Sequence, residues 1–86
     1  MTRIGLTKGQ HAMIDDADFK AVSSFRWHAY WDDSVKSFYA VRYETRNGKR
    51  RRISMHRFIL GLTDPKIHGD HRNHDTLDNR RENIRG

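Results

Sequence analysis

The sequence predicts a small α+β fold: a three-stranded antiparallel sheet with a short helix before it, then a second helix and a two-stranded hairpin. Three observations carry this. Aromatic residues alternate through Phe25-Arg26-Trp27-His28-Ala29-Tyr30-Trp31, as in a half-buried strand. Asn47-Gly48 separates two strand-like runs, and a type I′ hairpin turn needs positive φ at both central residues. Met55-His56-Arg57-Phe58-Ile59-Leu60-Gly61-Leu62 reads as a short apolar helix stopped by its glycine.

Taken in order, residues 1–14 place Ile4, Leu6, Ala12, Met13 and Ile14 on either side of Thr7-Lys8-Gly9-Gln10. This predicts a short strand, a turn and a second short strand. Asp15-Asp16-Ala17-Asp18 offers an N-cap acid with another acid three residues on, in capping-box style. The helix it opens runs to about Ser23 with Phe19 and Val22 on its buried face, so the acids are read as capping groups rather than metal ligands. In the next strand Phe25, Trp27, Ala29 and Trp31 face inward. Asp32-Asp33-Ser34 turns the chain into Phe38–Thr45, where Tyr39, Val41 and Tyr43 take one face and Arg42 and Glu44 the other. Beyond Asn47-Gly48 the third strand runs from Lys49 to Met55, with Ile53 and Met55 inward and Arg50 and Arg52 outward. Phe58, Ile59 and Leu60 are core residues, His56 is a packed histidine with a hydrogen-bond partner, and Asp64-Pro65 forces a turn. No repeat, low-complexity segment or linker interrupts the chain. Residues 1–54 form the sheet and helix region and 55–86 the second half of one compact unit.

Eighty-six residues allow one domain with a core of modest size. No apolar run approaches the roughly 18 residues of a membrane span, and no charged-then-apolar leader is expected. The chain has no cysteine, which excludes disulfides and thiolate zinc sites and fits a cytoplasmic setting. Charge is uneven. Residues 1–41 hold five Lys/Arg and five Asp/Glu, whereas residues 42–86 hold twelve and six. A basic surface confined to one half of a small protein is the footprint of a nucleic-acid partner. Lys49, Arg50 and Arg52, with Arg42 on the neighbouring strand, are candidate DNA contacts, since a major groove admits a β-ribbon. Their simpler role would be to blunt an exposed sheet edge.

The densest chemistry lies in His68-Gly69-Asp70-His71-Arg72-Asn73-His74-Asp75-Thr76-Leu77-Asp78-Asn79-Arg80-Arg81-Glu82-Asn83-Ile84-Arg85. Only Leu77 and Ile84 in it are substantial apolar side chains, so a core does not account for it. Asp70-His71 sets a hard oxygen ligand beside a base that titrates near neutrality. Arg72, Arg80, Arg81 and Arg85 are candidate phosphate contacts, with Arg80 or Arg81 free instead to pair with Glu82 or Asp78. Asn73, Asp75, Asp78 and Asn79 are suited to Asx-type bonds that shape a loop. His68, His71 and His74 recur every third residue, but a strand and loop would point them in different directions, against a zinc site.

Asp70-His71-x-Asn73 followed by Leu77-Asp78-Asn79-Arg80-Arg81-Glu82-Asn83-Ile84-Arg85 resembles the HNH homing-endonuclease family of phages and bacteria. The likeness extends back through Met55–Gly61 and covers residues 53–86. The first half is loosely similar to the three-stranded DNA-binding domains of the AP2 type. The family resemblance implies a ββα-metal nuclease unit acting on double-stranded DNA in a bacterial or phage-infected cell. It makes His71 the general base, Asp70 the ligand of a divalent metal (Mg²⁺, or Mn²⁺ in its place) and Asn83 the residue that braces the loop carrying the histidine. The sequence stops at Arg85-Gly86, where the family's last helix, with its His or Asn ligand, would follow. The expectation is therefore an HNH motif lacking its final helix. The alternative is a weak or inactive relative serving only as a DNA-binding module.

Overall fold

The structure is a computed structural model and describes residues 1–86. Two strands open the chain, β1 (Thr2–Gly5) and β2 (His11–Ile14), paired antiparallel with Arg3 opposite Met13. Their turn places Lys8 at φ 59° and Gly9 at φ 70°. A 3₁₀ turn over Asp16–Asp18 runs into the four-residue helix α1 (Phe19–Val22). The expected meander follows as β3 (His28–Asp32), β4 (Ser37–Arg46) and β5 (Lys49–Ser54), in that spatial order. Asn47 and Gly48 turn β4 into β5 with φ of 53° and 75°, as the type I′ signal requires. Helix α2 (Met55–Leu60) ends on Gly61 at φ 70°, a left-handed position where glycine carries no Cβ penalty. A third small sheet pairs β6 (Asp70–His71) with β7 (Ile84–Arg85). No helix is long and apolar enough to cross a membrane.

The core gathers Ala12, Ile14, Val22, Trp27, Ala40, Met55, Ile59 and Ile84, with Phe58, Leu60 and Leu77 packed against it. It therefore draws on every part of the chain, and Trp27 anchors it by donating from Nε1 to the Val22 carbonyl at 2.7 Å. Ile84 is only 4 % exposed, so the C-terminal hairpin contributes its apolar side chain to the common core.

Several facing assignments need correction. In β4 both Ala40 and Val41 are buried, so the middle of this strand is covered on both faces and single-face alternation does not describe it. Ala40 shares a face with Phe38 and Arg42, while Tyr39, Val41 and Tyr43 take the other. Arg42 is accordingly not outward. Its guanidinium lies 3.9 Å from the Phe25 ring centroid, and its side chain is 12 % exposed. Conversely Phe19, Phe25 and Trp31, expected inward, are exposed, and Trp31 packs edge-on against Phe38 at 5.0 Å.

The acids of residues 15–18 also have a different role. None makes a side-chain cap bond to its own turn. Asp15 Oδ2 instead accepts from the Arg81 backbone N–H at 3.0 Å, and Asp18 takes the Arg81 guanidinium on both carboxylate oxygens. Asp16 accepts from the Thr2 hydroxyl and pairs with the N-terminal ammonium. They fasten chain ends rather than cap a helix.

Candidate active site

The site begins with a short hairpin closed around a polar loop. In β6 and β7, Asp70 lies opposite Arg85 and His71 opposite Ile84. Between them residues 72–83 are held by their own side chains. Asn73 Oδ1 accepts from the Asp75 N–H, Asp75 Oδ1 from the Leu77 N–H, and Asp78 Oδ1 from the Arg80 N–H. These are the expected Asx-type bonds, in which a short polar side chain replaces a backbone turn partner. The N-terminal hairpin grips the same loop. Met13 donates to the Leu77 carbonyl at 2.8 Å, and Asn79 donates to the Met13 carbonyl at 2.7 Å.

Asn83 sits inside this loop, 5 % exposed. Its Oδ1 accepts from the Asn73 N–H at 3.0 Å, its Nδ2 donates to the Asp78 carbonyl at 2.8 Å, and its carbonyl accepts from the Arg72 N–H at 2.7 Å. The residue thus ties the segment just after His71 to the far side of the loop. Asp78 is buried and clamped by Arg80 through Nε and Nη2 at 2.8 and 2.7 Å. That hydrogen bonding holds its carboxyl below the usual range against the opposing effect of burial.

His71 is 4 % exposed and its Nε2 lies 2.7 Å from Asn79 Oδ1. A carboxamide oxygen can only accept. Nε2 therefore carries the proton of the neutral ring, and Nδ1 is left as the basic nitrogen. Asn79 is the one loop residue expected to make an Asx bond that instead serves the histidine. The His56 ring stands 4.6 Å from that of His71, and Tyr39 approaches both at about 6 Å. His56 is thus packed as expected, but its neighbours are rings rather than a hydrogen-bonding side chain. Burial, then the nearby His71 and Arg57, push its pKa down to about 4, so it stays neutral. Gly69 makes this packing possible, because a Cβ there would come within 2.5 Å of the His56 ring. Tyr39 and His56 were not singled out from the sequence as site residues; only their place against His71 identifies them.

Asp70 and His71 meet in a cleft of about 250 Å³ with Tyr39, Gly69, His74 and Thr76 around them. The Thr76 hydroxyl donates to the Phe38 carbonyl and pins the loop to β4. Asp70 is exposed, and its Oδ2 takes Arg85 at 3.1 Å. The Arg85 hydrogen bond is the main reason its carboxyl is held below the ordinary range. The carboxylate is therefore ionised, with the His71 backbone N–H adding a smaller contribution. No group of three or more His, Cys, Asp or Glu side chains gathers anywhere in the protein, so His68, His71 and His74 do not form a trio. A divalent ion at Asp70 would be held by one carboxylate, with water and phosphate supplying the other oxygens. Mg²⁺ tolerates such a donor set because it retains several waters.

The expected DNA contacts divide into two groups. Arg50 and Arg52 stand on the exposed face of β5, stacked over Tyr43 and Tyr30 at 4.3 and 4.0 Å. Lys49 and Arg72 are exposed. Arg42 lies under Phe25 on the opposite face of the sheet, and Arg80 and Arg81 are occupied internally, Arg80 on Asp78 and Glu82 and Arg81 on Asp18. The surface cations are thus fewer than the sequence suggests, and Arg85 serves Asp70. The chain matches no family model, no curated protein and no solved structure.

Proposed function

We propose that the protein is a DNA endonuclease of HNH type, hydrolysing phosphodiester bonds of duplex DNA with a divalent metal, Mg²⁺ or Mn²⁺. The observation that carries this reading is the shared cleft of Asp70 and His71, with the histidine ring oriented by Asn79 and its loop braced by Asn83. A phosphodiester resists hydrolysis because its charge repels nucleophiles and its 3′ oxygen leaves poorly. His71 Nδ1 accepts a proton from water, which makes the nucleophile, and Nε2–H stays on Asn79 through the step. Asp70 would hold the metal, which would supply positive charge to offset that of the phosphate and the leaving oxygen. The neutral His56 beside His71 adds no positive charge that would oppose this protonation.

Duplex DNA would lie across the exposed face of the sheet. Tyr39 joins that face to the cleft, since it is both a β4 residue and part of the cleft wall. Stacking on Tyr30 and Tyr43 restrains Arg52 and Arg50 before DNA arrives, which lessens the side-chain entropy lost on binding.

A second reading is a DNA-binding module without hydrolysis. It is favoured by the single available carboxylate, already paired to Arg85. Supercoiled plasmid separates the two readings. Nicking that requires Mg²⁺ or Mn²⁺, stops with EDTA and is lost in the Asp70→Ala/His71→Ala double variant supports the nuclease. Binding with no nicking under any of these conditions supports the module.

A further inference from the structure

A larger groove, about 670 Å³, lies apart from the cleft, mainly on the other side of the sheet, with Arg52 at its edge. Register fixes the sides: Arg42 pairs with Ile53 and Glu44 with Arg51, so these four share the face opposite Arg50 and Arg52. The groove is completed by Arg57 and Phe58 of α2 and by Leu62 and Pro65 beyond it. Its size falls within the roughly 300–1,000 Å³ of small-molecule sites.

The charges in it are incompletely matched. Arg42 and Arg51 share one carboxylate, Glu44, at 3.5 and 3.9 Å. Arg57 donates only to the backbone carbonyls of Asp64 and Ile67, which leaves its charge uncompensated. Arg42 is the sharper case, because its Nε is buried with no acceptor, the only buried side-chain polar atom in that condition. A buried donor without a partner costs about 1–3 kcal/mol and calls for an explanation. Beside these cations stand the partly exposed Phe58 ring and Leu62. Guanidinium groups suit phosphate oxygens, and an aromatic wall suits a flat base.

We propose that this groove binds an unpaired nucleotide, with the phosphate on Arg42 and Arg51 and the base against Phe58 and Leu62. A duplex cannot offer this combination, because its bases are stacked away from such a wall. The site uses neither Asp70 nor His71, so it survives or fails independently of them.

The test follows the Arg42 Nε–H resonance of the full chain by NMR while oligothymidylate, thymidine monophosphate, inorganic phosphate and an oligoglutamate peptide are added separately. The resonance should shift and saturate with oligothymidylate, and inorganic phosphate should need at least about tenfold more to match it, since stacking adds affinity per base. A matching response to the monophosphate assigns the site to free nucleotides, and a response to the oligonucleotide alone assigns it to a strand; both uphold it. Arg51→Glu, at an exposed position, should weaken oligothymidylate binding by about tenfold and change duplex affinity by less than about threefold. The proposal is overturned if the resonance does not respond to either thymidine probe, if phosphate or oligoglutamate acts as well as oligothymidylate, or if Arg51→Glu weakens single strand and duplex by the same factor.

Discussion

At the scale of residues, the C-terminal loop depends on buried polar groups whose partners are all close by. Asn83→Ala would leave the Asp78 carbonyl and the Asn73 N–H without their side-chain partners, and the expected loss is about 2–4 kcal/mol of stability. Urea denaturation measures it; a loss indistinguishable from that of an exposed control such as Arg72→Ala would refute the bracing role. His56 gives a pH signature. Unfolded, its ring protonates near 6.5; folded, only near 4. Between those values the unfolded chain binds more protons, so stability rises with pH across that window and is fully present above it. Acidification from pH 7 to 4 should cost up to about 3 kcal/mol through this ring, and His56→Gln should flatten that dependence. A wild-type denaturation midpoint that does not fall between pH 7 and 4.5 would contradict it.

Much at this scale was legible from residue type. Asn73, Asp75 and Asp78 adopt the local bonds that short polar side chains favour, and Gly48 and Gly61 occupy the left-handed positions their context demands. Asn79 was misjudged for a physical reason. Its partner is the His71 ring eight residues back, and no local rule distinguishes that from an Asx turn. Tyr39 and His56 are long-range members of the site, brought to His71 only by packing.

At the scale of elements, the meander, the Asn-Gly turn and α2 followed from patterning, whereas facing did not. Alternation assumes one covered face, but β4 is covered on both at Ala40 and Val41. Small side chains at Ala29 and Ala40, paired across β3 and β4, leave room for Trp27 in the core and bring Arg42 to the same side. The acids at 15–18 match a helix cap in spacing, yet Asp15 and Asp18 bond the backbone and the guanidinium of Arg81, more than sixty residues away. This makes the N-terminal hairpin and its turn a clamp on the site. Asp18→Ala should lower stability by about 1–2 kcal/mol, as for a charge-assisted pair with one buried member. It should also speed amide exchange in residues 78–83 before the rest of the protein. Faster exchange confined to residues 1–14, with 78–83 unchanged, would show that the clamp does not act on the site.

At the scale of the whole molecule, the excess charge of residues 42–86 is only partly available. With Arg42 on the opposite face of the sheet and Arg80 and Arg81 engaged internally, Lys49, Arg50, Arg52 and Arg72 remain as outward candidates, joined by Arg85 if DNA draws it from Asp70. Four or five phosphate contacts predict a log–log salt slope of about −4 for duplex binding. Arg50→Ala/Arg52→Ala should reduce that slope by about two, and an unchanged slope would return these arginines to edge protection.

In the proposed reaction Asp70 serves the metal and His71 the proton. Single variants measured for Mn²⁺ binding in the presence of duplex DNA, alongside plasmid nicking, test it most directly. Asp70→Ala should lose both Mn²⁺ binding and nicking. His71→Ala should lose nicking while holding Mn²⁺ and DNA nearly as the wild type does. Loss of Mn²⁺ in His71→Ala, or nicking that survives it, would overturn that division of roles.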